Sequence, residues 1–145
     1  IDIGFVGEPI KLNKELILEH IKKGDIPVIA PLGIDTDNFT YNINADTAAG
    51  FIAGELKASK LLLLTDVAGI IDNKNNLISS LSFSEAQDII KKKFISGGMK
   101  PKIQTCIKAM EKGVKKTTIL DGRIPHSVIL ELFTEHGIGT QLISN

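Results

Sequence analysis

The stretch KLLLLTDVAGII, residues 60–71, decides the fold of this chain. Its four consecutive leucines are too few for the core of a helix, and they predict a strand buried on both faces, as in a parallel sheet covered by helices. Ligands of open α/β sheets bind beyond the carboxyl ends of the strands, so we expect a ligand at Thr65, Asp66 and the residues that follow. A plain turn capped by Asp66 explains this loop equally well when the loop is taken alone.

Predicted helices and strands alternate on both sides of the leucine strand. One helix covers Lys14–Lys22, and Asn44 or Asp46 opens another, whose small residues Gly50 and Gly54 let it approach the sheet closely. This alternation predicts a single α/β domain, a three-layer α/β/α sandwich around a mainly parallel sheet. The other predicted elements are strands at residues 26–30, 117–120 and 140–143, a turn or hairpin tip at 34–40, an extended piece at 77–81, a helix from a capping box at 84–87 to residue 92 or 93, a helix from Met99 with Pro101 in its first turn, and a helix from Pro125.

The composition is typical of a globular protein and excludes several partners. The 145 residues are 43% hydrophobic and 23% charged, which is enough for one domain with a real core. Lys+Arg and Asp+Glu both number 17, so no net charge attracts nucleic acid or a membrane surface. No apolar run approaches the roughly 20 residues of a membrane span. The single cysteine, Cys106, falls in an apolar helical stripe, excludes an internal disulfide and fits a reducing cytosol, so we expect a cytoplasmic protein.

Three polar clusters lie where the predicted strands and loops meet helix N-termini. Free N–H groups and a partial positive charge at such termini suit phosphates and carboxylates. In the third cluster a Ser-Gly-Gly loop lets the backbone approach an anion closely, and Lys102 can reach the same anion as a point charge. Such glycine loops also occur as simple turns, and that interpretation stays open for the loop by itself. The clusters are Asn42 with Asn44 and Asp46, Thr65 with Asp66 and Gly69, and Ser96 with Gly97, Gly98 and Lys102.

Several other kinds of site are not indicated by the sequence. It has no cluster of His, Cys and carboxylates at metal-ligand spacing, so we expect no metal site built from protein ligands. It has no Ser, His and Asp arrangement for nucleophilic catalysis, and neither a GxGxxG nor a GxxxxGK(S/T) motif.

Longer motifs along the chain resemble those of a known family. They are DIGFVGE (2–8), IPVIAPLG (26–33), YNINADTAAG (41–50), LLLLTDVAGI (61–70), ISGGMKPK (95–102), DGRIPH (121–126) and LELFTEHGIGT (130–140). On these motifs the chain resembles the amino-acid kinases, and among them the N-acetylglutamate kinases, over nearly its whole length. The resemblance implies that the chain is the C-terminal, ATP-binding half of such an enzyme and lacks the N-terminal half.

The resemblance implies an enzyme that transfers the γ-phosphoryl group of Mg-ATP to the side-chain carboxylate of N-acetyl-L-glutamate, in arginine biosynthesis. It implies that Lys102 neutralises charge on the phosphoryl group, that Asp46 orients the catalytic lysines, and that Asn42 binds the α-carboxylate of the substrate. Mg²⁺ is then held mainly through the nucleotide phosphates. No general base is needed, because the acceptor carboxylate is already ionised at pH 7. The residues implied around the nucleotide are Thr65, Asp66, Val67, Gly69, Ile70, Ile71, Phe94, Ile95, Ser96 and Gly97.

The resemblance also implies partners and an effector. His126, Glu135 and Gly137 match the region in which arginine binds in the arginine-inhibited members, so arginine is an expected effector. The intact enzyme is expected to be a homo-oligomer, a dimer or a hexamer. Much of the active site, including a second catalytic lysine, belongs to the absent half, so the isolated chain is expected to bind nucleotide without turnover.

Two other functions stay open on the sequence alone. Another amino-acid kinase, such as a glutamate 5-kinase, would share the nucleotide chemistry, although the NINAD and DGRIPH motifs favour an N-acetylglutamate kinase. A nucleotide-binding module without catalysis is the third reading, and it describes the chain if the chain exists alone.

Overall fold

Five helices and six strands form the part of the chain that the computed structural model describes, which is residues 4–92, 94–95 and 97–144. The helices are α1 (Lys14–Lys22), α2 (Ala45–Leu56), α3 (Phe83–Ile89), α4 (Met99–Glu111) and α5 (Ser127–Phe133). The strands are β1 (Leu32–Ile34), β2 (Thr40–Asn42), β3 (Lys60–Thr65), β4 (Ser80–Ser82), β5 (Lys116–Asp121) and β6 (Thr140–Ile143). Within this described part, no helix has both the length and the apolar character needed to span a membrane.

The main sheet has four strands in the order β3-β5-β6-β4. β3 runs parallel to β5, from Lys60 beside Lys116 to Thr65 beside Asp121. β4 runs parallel to β6, whereas β5 and β6 are antiparallel to each other. The prediction of an α/β fold around a mainly parallel sheet is confirmed, with the leucine strand and the two later strands where the sequence places them.

Helices cover both faces of this sheet. Successive residues of a strand point to opposite faces. In β5 the Thr117 hydroxyl lies 3.8 Å from Sδ of Met110 in α4, whereas the Thr118 hydroxyl donates to Oε1 of Glu131 in α5, at 3.1 Å. α4 and α5 therefore lie on opposite faces, which is the predicted three-layer arrangement.

The apolar core lies between the sheet and α4. Ile103, Cys106 and Ile107 recur at helical spacing along one side of α4, and all three are buried in one cluster with Leu61 and Leu63 of β3. Cys106 is fully buried, as its place in the apolar stripe predicts. Burial raises the pKa of its thiol to about 11, so the side chain stays protonated and behaves as a small apolar group.

β3 confirms the predicted leucine strand but not its burial on both faces. Leu61 and Leu63 are buried, whereas Leu64 is 46% exposed. In the described part of the chain β3 is an edge strand with β5 as its one neighbour. The face that carries Leu64 is therefore covered less fully than the face of an interior strand.

Residues 4–44, which we call the arm, contribute little to this core. α1 lies at Lys14–Lys22, as predicted, and its first turn is capped by Asn13, whose side chain accepts a hydrogen bond from the N–H of Leu16 at 3.3 Å. None of the residues of α1 is buried. The helix therefore forms from its local cap and pattern, with little of its surface covered by other described residues.

The prediction of a strand at residues 26–30 is wrong. A strand needs a hydrogen-bonded neighbour, and no described segment supplies one at these residues. The strand forms instead at Leu32–Ile34, which pairs with Thr40–Asn42 in an antiparallel hairpin. Asp35 holds the tip by accepting hydrogen bonds from the N–H groups of Asp37 and Phe39, both at 2.9 Å, so the predicted turn at 34–40 is confirmed.

α3 begins earlier than the sequence predicts. Its capping box is formed by Ser82 and Glu85 and not by residues 84–87: Glu85 N–H donates to Ser82 Oγ at 3.3 Å, and Ser82 N–H donates to Glu85 Oε2 at 2.7 Å. A charged glutamate is a stronger acceptor than the glutamine that would close a box on Ser84, which explains the choice of cap. The helix ends at Ile89 rather than at residue 92 or at residue 93, which lies outside the described residues.

The glycines of α2 bring this helix close to α4. A Cβ on Gly50 would overlap Cγ2 of Thr105, and a Cβ on Gly54 would lie 2.7 Å from Cδ of Lys112. The sequence correctly predicts a close approach at these positions. Its partner is a helix, and not the sheet as predicted, because both glycines lie on the side of α2 that faces α4.

We expect Gly50→Ala to lower the free energy of unfolding of the chain by roughly 1–3 kcal/mol, because the new methyl overlaps the stiff β-branched side chain of Thr105. The gain in helix propensity, about 1 kcal/mol, offsets only part of this cost. Urea unfolding followed by circular dichroism measures the change. Thr105→Ser removes the clashing methyl, so Gly50→Ala should be harmless in that background. Equal losses in both backgrounds would contradict the packing explanation.

Candidate functional site

Asp46 and Lys102 form an ion pair between the first turns of α2 and α4. The Lys102 Nζ donates to Asp46 Oδ2 at 2.7 Å, and the two side chains are 19% and 22% exposed. The start of α2 is fixed by Asn44, whose side chain accepts a hydrogen bond from the N–H of Thr47 at 3.1 Å. This cap places Asp46 in the first turn of α2, where the helix dipole stabilises a carboxylate.

The same pair holds an ammonium group at an otherwise unfavourable place. Lys102 lies at the N-terminal end of α4, where the helix dipole is positive and disfavours a positive side chain. The first turn of α4 contains no acidic residue that could compensate this charge. Asp46 supplies the missing negative charge from the neighbouring helix. Removing either member of a largely buried pair leaves the other charge uncompensated, so the two side chains act as a unit.

A cavity of about 300 Å³ lies at the carboxyl end of β3 and beside the N-terminus of α4. Most of the residues predicted around a nucleotide line it together with Lys102, so the second and third polar clusters of the sequence share one site. Gly98 and Met99 complete the lining. The predicted nucleotide residues in this cavity are Thr65, Asp66, Val67, Gly69, Ile71, Phe94 and Ile95.

Three of the predicted substrate- and nucleotide-binding residues that the structure describes do not line the cavity. Ile70 is fully buried below the loop, Gly97 is exposed beside it, and Asn42 is exposed on β2 in the arm. Ser96 lies outside the described residues. The structure thus brings Asp46 to the cavity through Lys102, and it leaves Asn42 on a separate element.

The loop after β3 is held in place by the last strand. The Ile70 N–H donates to Thr140 Oγ1 at 2.8 Å, and the Ile70 carbonyl accepts from the Ile78 N–H at 2.8 Å. A Cβ on Gly69, whose φ is +149°, would lie 2.6 Å from Thr140 Oγ1, so a side chain would break this contact. The cavity wall between Asp66 and Ile71 is therefore built on β6.

Asp121 and Arg123 form a second charged pair, at the carboxyl end of β5 beside Thr65. Arg123 donates to both carboxylate oxygens of Asp121, from Nε at 2.9 Å and from Nη2 at 2.8 Å. These side-chain bonds, with a further bond from the Arg123 N–H, lower the pKa of Asp121 to about 2. The pKa of Arg123 is raised, first by Asp121 and to a lesser extent by Asp66, which faces the cavity.

Glu131 is a buried carboxylate that the sequence analysis missed. It is 2% exposed and accepts hydrogen bonds from Thr118 Oγ1 at 3.1 Å, Ile138 N–H at 2.9 Å and Gln141 Nε2 at 2.9 Å. Four apolar residues of α5 are exposed instead, namely Val128, Ile129, Leu132 and Phe133. A single charged residue inside the apolar run SVILELF was the signal that could have found it.

Of the three predicted effector residues, one lies against Glu131 and two lie on the surface. Gly137, with φ +63°, lies against the Glu131 carboxylate, so a side chain there would clash with it. His126 is the exposed N-cap of α5, and Glu135 is exposed in the loop after α5. The structure brings Gly137 to the buried carboxylate, and it places His126 and Glu135 on the surface at the two ends of α5.

Among residues 4–92, 94–95 and 97–144 the structure contains no group of three or more His, Cys, Asp or Glu that could hold a metal ion. A second cavity of about 280 Å³ lies between α2 and α4, lined in part by Glu8, Phe51 and Lys108. It contains neither Asp46 nor Lys102. The charged pair and the predicted loop therefore single out the cavity beside β3 as the candidate site.

Comparison with known proteins finds close relatives. The amino acid kinase family model matches residues 1–121. The chain is 52% identical to the acetylglutamate kinase of Aquifex aeolicus and 54% identical to that of Brucella anthropi, in matches that cover 97% and 99% of the chain. These matches cover 47% and 48% of the relatives, so the chain spans about half the length of the curated relatives it matches.

A solved structure agrees with this likeness. The N-acetylglutamate synthase from Neisseria gonorrhoeae, complexed with coenzyme A and L-arginine, is similar with a TM-score of 0.91 and 31% identity. The match covers 99% of this chain and 33% of that chain.

We expect the Asp121–Arg123 pair to stabilise the fold at neutral pH and to lose this effect in acid. The folded pKa of Asp121, about 2, lies below its ordinary value of 3.8, so the contribution is complete above pH 4 to 5 and declines as the pH falls toward 2. Arg123→Gln should therefore lower the melting temperature at pH 6, by an amount that shrinks below pH 4. Thermal scans at several pH values test this.

Lys91→Gln is the matched control, because Lys91 pairs with Asp88 at 2.9 Å on an exposed surface. It should change the melting temperature little at any pH, since exposed pairs contribute little. A loss in Arg123→Gln that stayed constant from pH 6 to pH 3 would contradict the assigned role of Asp121.

Proposed function

This chain belongs to the amino acid kinase family, and on that premise we propose that it is the nucleotide-binding part of an N-acetylglutamate kinase. The whole enzyme transfers the γ-phosphoryl group of ATP to the side-chain carboxylate of N-acetyl-L-glutamate. The product is N-acetyl-L-glutamyl 5-phosphate, in arginine biosynthesis, and the compartment is the cytoplasm. Identities of 52% and 54% to acetylglutamate kinases support this substrate over that of another amino-acid kinase.

The observation that carries the proposal is the Lys102 ammonium group at a cavity beyond the carboxyl end of a parallel strand. Phosphoryl transfer depends on positioning and on stabilising negative charge, because the transferring group needs little covalent help from the protein. The positive charge of Lys102 can stabilise the negative charge of the transferring group. Asp46 holds the ammonium group in position, with its Oδ2 at 2.7 Å from Lys102 Nζ. An ionised acceptor carboxylate attacks without a general base.

The other cavity residues bind the nucleotide in this proposal. Thr65, Asp66, Val67, Gly69 and Ile71 form one wall after β3, and Phe94 and Ile95 with Gly98 form the other. Ile70 acts from below, by anchoring the loop on Thr140. Gly97 and Ser96, the latter outside the described residues, stay predictions as nucleotide-binding residues. Mg²⁺ enters with ATP as part of the substrate and is held mainly through the phosphates, whose charge it reduces.

Asn42 binds the α-carboxylate of the acceptor in this proposal. Asn42 is exposed on β2, shortly before Asn44, which caps the helix that carries Asp46. It is therefore accessible to a ligand on that side of the chain. The chain spans about half the length of its relatives, and the remaining contacts to the acceptor come from the other half. The chain alone therefore binds ATP and does not turn over.

We expect Lys102→Ala in the full-length enzyme to lower kcat by about 100-fold or more, the cost of removing one group that stabilises transition-state charge. Asp46→Ala should lower kcat as well, because Lys102 loses its orientation. Acyl-phosphate formation, trapped with hydroxylamine, measures turnover, and thermal scans measure stability. The loss in kcat should far exceed the loss in stability. An unchanged kcat in either variant would contradict the assignment.

The matched control is Lys112→Ala. Lys112 joins α4 to Glu55 of α2 through an equally short ion pair, 2.7 Å, but it does not line the candidate cavity. This variant should keep its kcat. The same assay with L-glutamate or aspartate in place of N-acetyl-L-glutamate tests the acceptor, and equal turnover of glutamate would favour a glutamate 5-kinase.

The proposed effector is arginine, acting on an enzyme that is a dimer or a hexamer. Support comes from the structurally similar Neisseria gonorrhoeae synthase, which was solved with L-arginine, and from the matching positions His126, Glu135 and Gly137. Arginine should bind the full-length enzyme in isothermal titration, and Glu135→Gln should weaken binding by roughly tenfold if its carboxylate pairs with the guanidinium. Leu132→Ala, on the exposed side of α5, is the control. A titration without binding would remove arginine from the proposal.

A further inference from the structure

The backbone of Asn42 is held by a segment outside its own hairpin. The Asn42 N–H donates to the Phe5 carbonyl at 2.8 Å, and the Asn42 carbonyl accepts from the Gly7 N–H at 3.0 Å. Val6 thereby forms a parallel bridge with Asn42 at the end of β2. Because both polar groups of the Asn42 backbone are bonded to residues 5–7, this short segment fixes the point from which the Asn42 side chain extends.

Tyr41 holds residues 5–7 against β2 from the opposite face. Successive residues of a strand point to opposite sides, so the Tyr41 ring lies on the side of β2 away from the Asn42 side chain. The Phe5 ring meets the Tyr41 ring edge to face, with the ring centroids 5.7 Å apart. A Cβ on Gly7 would lie 3.1 Å from the Tyr41 Cβ, closer than most such contacts, so the lack of a side chain at Gly7 permits this approach.

Asp35 joins the same tyrosine to the tip of the hairpin. The Tyr41 hydroxyl donates to Asp35 Oδ2 at 3.0 Å, while Asp35 Oδ1 accepts from the N–H groups of Asp37 and Phe39. The Phe39 N–H above all lowers the pKa of Asp35, and the hydrogen bond to Asp35 raises the pKa of Tyr41. At neutral pH the phenol is therefore the donor and an ionised carboxylate the acceptor, which makes this one of the stronger kinds of hydrogen bond.

These contacts lie outside the core. The Phe5 and Phe39 rings stack with their centroids 6.4 Å apart, yet Phe5 is 67% exposed and Phe39 is 57% exposed. The buried apolar cluster contains no described residue of the arm. Exposed contacts of this kind add little to global stability, but together they hold β2 at its tip and at its end, where Asn42 lies. Their main consequence is therefore local, and it falls on Asn42.

We propose that Tyr41 and Asp35 are positioning residues for the acceptor: through the hairpin and residues 5–7, their hydrogen bond holds Asn42 where the α-carboxylate of the acceptor binds. A side chain that is already in place loses less conformational freedom when the ligand arrives, so binding is tighter. The inference rests on the proposed function, which gives Asn42 its role. It adds two residues that act through Asn42 and not on the ligand themselves.

Steady-state kinetics of the full-length enzyme test this role. Tyr41→Phe removes only the hydroxyl and keeps the ring against Phe5. It should raise the KM for N-acetyl-L-glutamate about tenfold, the order of one hydrogen bond to a charged group, and leave kcat and the KM for ATP within about twofold. A merely structural role would lower the melting temperature or kcat without singling out one substrate. An unchanged KM for the acceptor, or an equal rise for both substrates, would overturn the proposal.

A second variant tests whether Tyr41 acts through Asp35. Asp35→Ala removes the acceptor of the Tyr41 hydroxyl together with the two backbone bonds of the hairpin tip, so it should raise the KM for the acceptor at least as much. Adding Tyr41→Phe to Asp35→Ala should have no further effect, because the single changes remove the same hydrogen bond. Effects that simply multiply would contradict a shared contact.

Asp72→Ala is the matched control. Asp72 Oδ1 accepts from the N–H groups of Lys74 and Asn76, both at 2.8 Å, as Asp35 Oδ1 does in its own turn, but Asp72 lies outside the arm. This variant should leave the KM for N-acetyl-L-glutamate unchanged. A rise equal to that of Asp35→Ala would show that the loss of any such turn weakens acceptor binding, and it would overturn the proposal.

Amide hydrogen exchange in the same enzyme follows Asn42 without any turnover. In Tyr41→Phe the amides of Asn42 and Gly7 should exchange at least about tenfold faster, because their hydrogen bonds open more often, whereas the amide of Cys106 in the core should keep its rate. Unchanged exchange at Asn42 would overturn the positioning role. An unsubstituted enzyme that forms no acyl phosphate from N-acetyl-L-glutamate would instead overturn the proposed function, so the two failures are distinguishable.

Discussion

An electrostatic contact between the amino ends of two helices sets the geometry of this site. Lys102 lies in the first turn of α4, where the helix dipole disfavours a positive charge, and Asp46 of α2 compensates it at 2.7 Å. One turn further along α2, Gly50 has no side chain and so lets α2 and α4 approach closely. Because packing fixes the distance between the helices, the ammonium group of Lys102 is held in place by the protein itself.

The location of the site could be predicted from the sequence because it depends on topology. Polar residues after a buried strand and at helix N-termini come to the same edge of an α/β sheet, so Asp66 and Lys102 were expected together. Glu131 could not be found in this way. Its burial depends on how α5 packs over β5 and β6, and the sequence of α5 by itself suggests that the apolar side chains face the core.

The secondary structure of the sheet and its helices could be predicted from the sequence, whereas that of the arm could be predicted only in part. β3, α4 and β5 follow from local periodicity, because each has its partners within the described chain. Residues 26–30 have the composition of a strand and were predicted as one, but a strand is defined by its neighbours, and none of the residues that the structure describes pairs with this segment. The capping box of α3 differs from the predicted one for a simpler reason. Ser82 and Ser84 can both cap the helix, and Glu85 closes the box on Ser82.

The bond between the Ile70 amide and the Thr140 hydroxyl has a consequence for biosynthesis. The two residues are 70 positions apart, so a ribosome must add that many amino acids after Ile70 is incorporated before its anchor exists. Until then the wall between Asp66 and Ile71 lacks the contact that shapes it, whereas α2 and β3 are already synthesised. The cavity wall can thus take its final shape only after β6 has been synthesised, late in the folding of the chain.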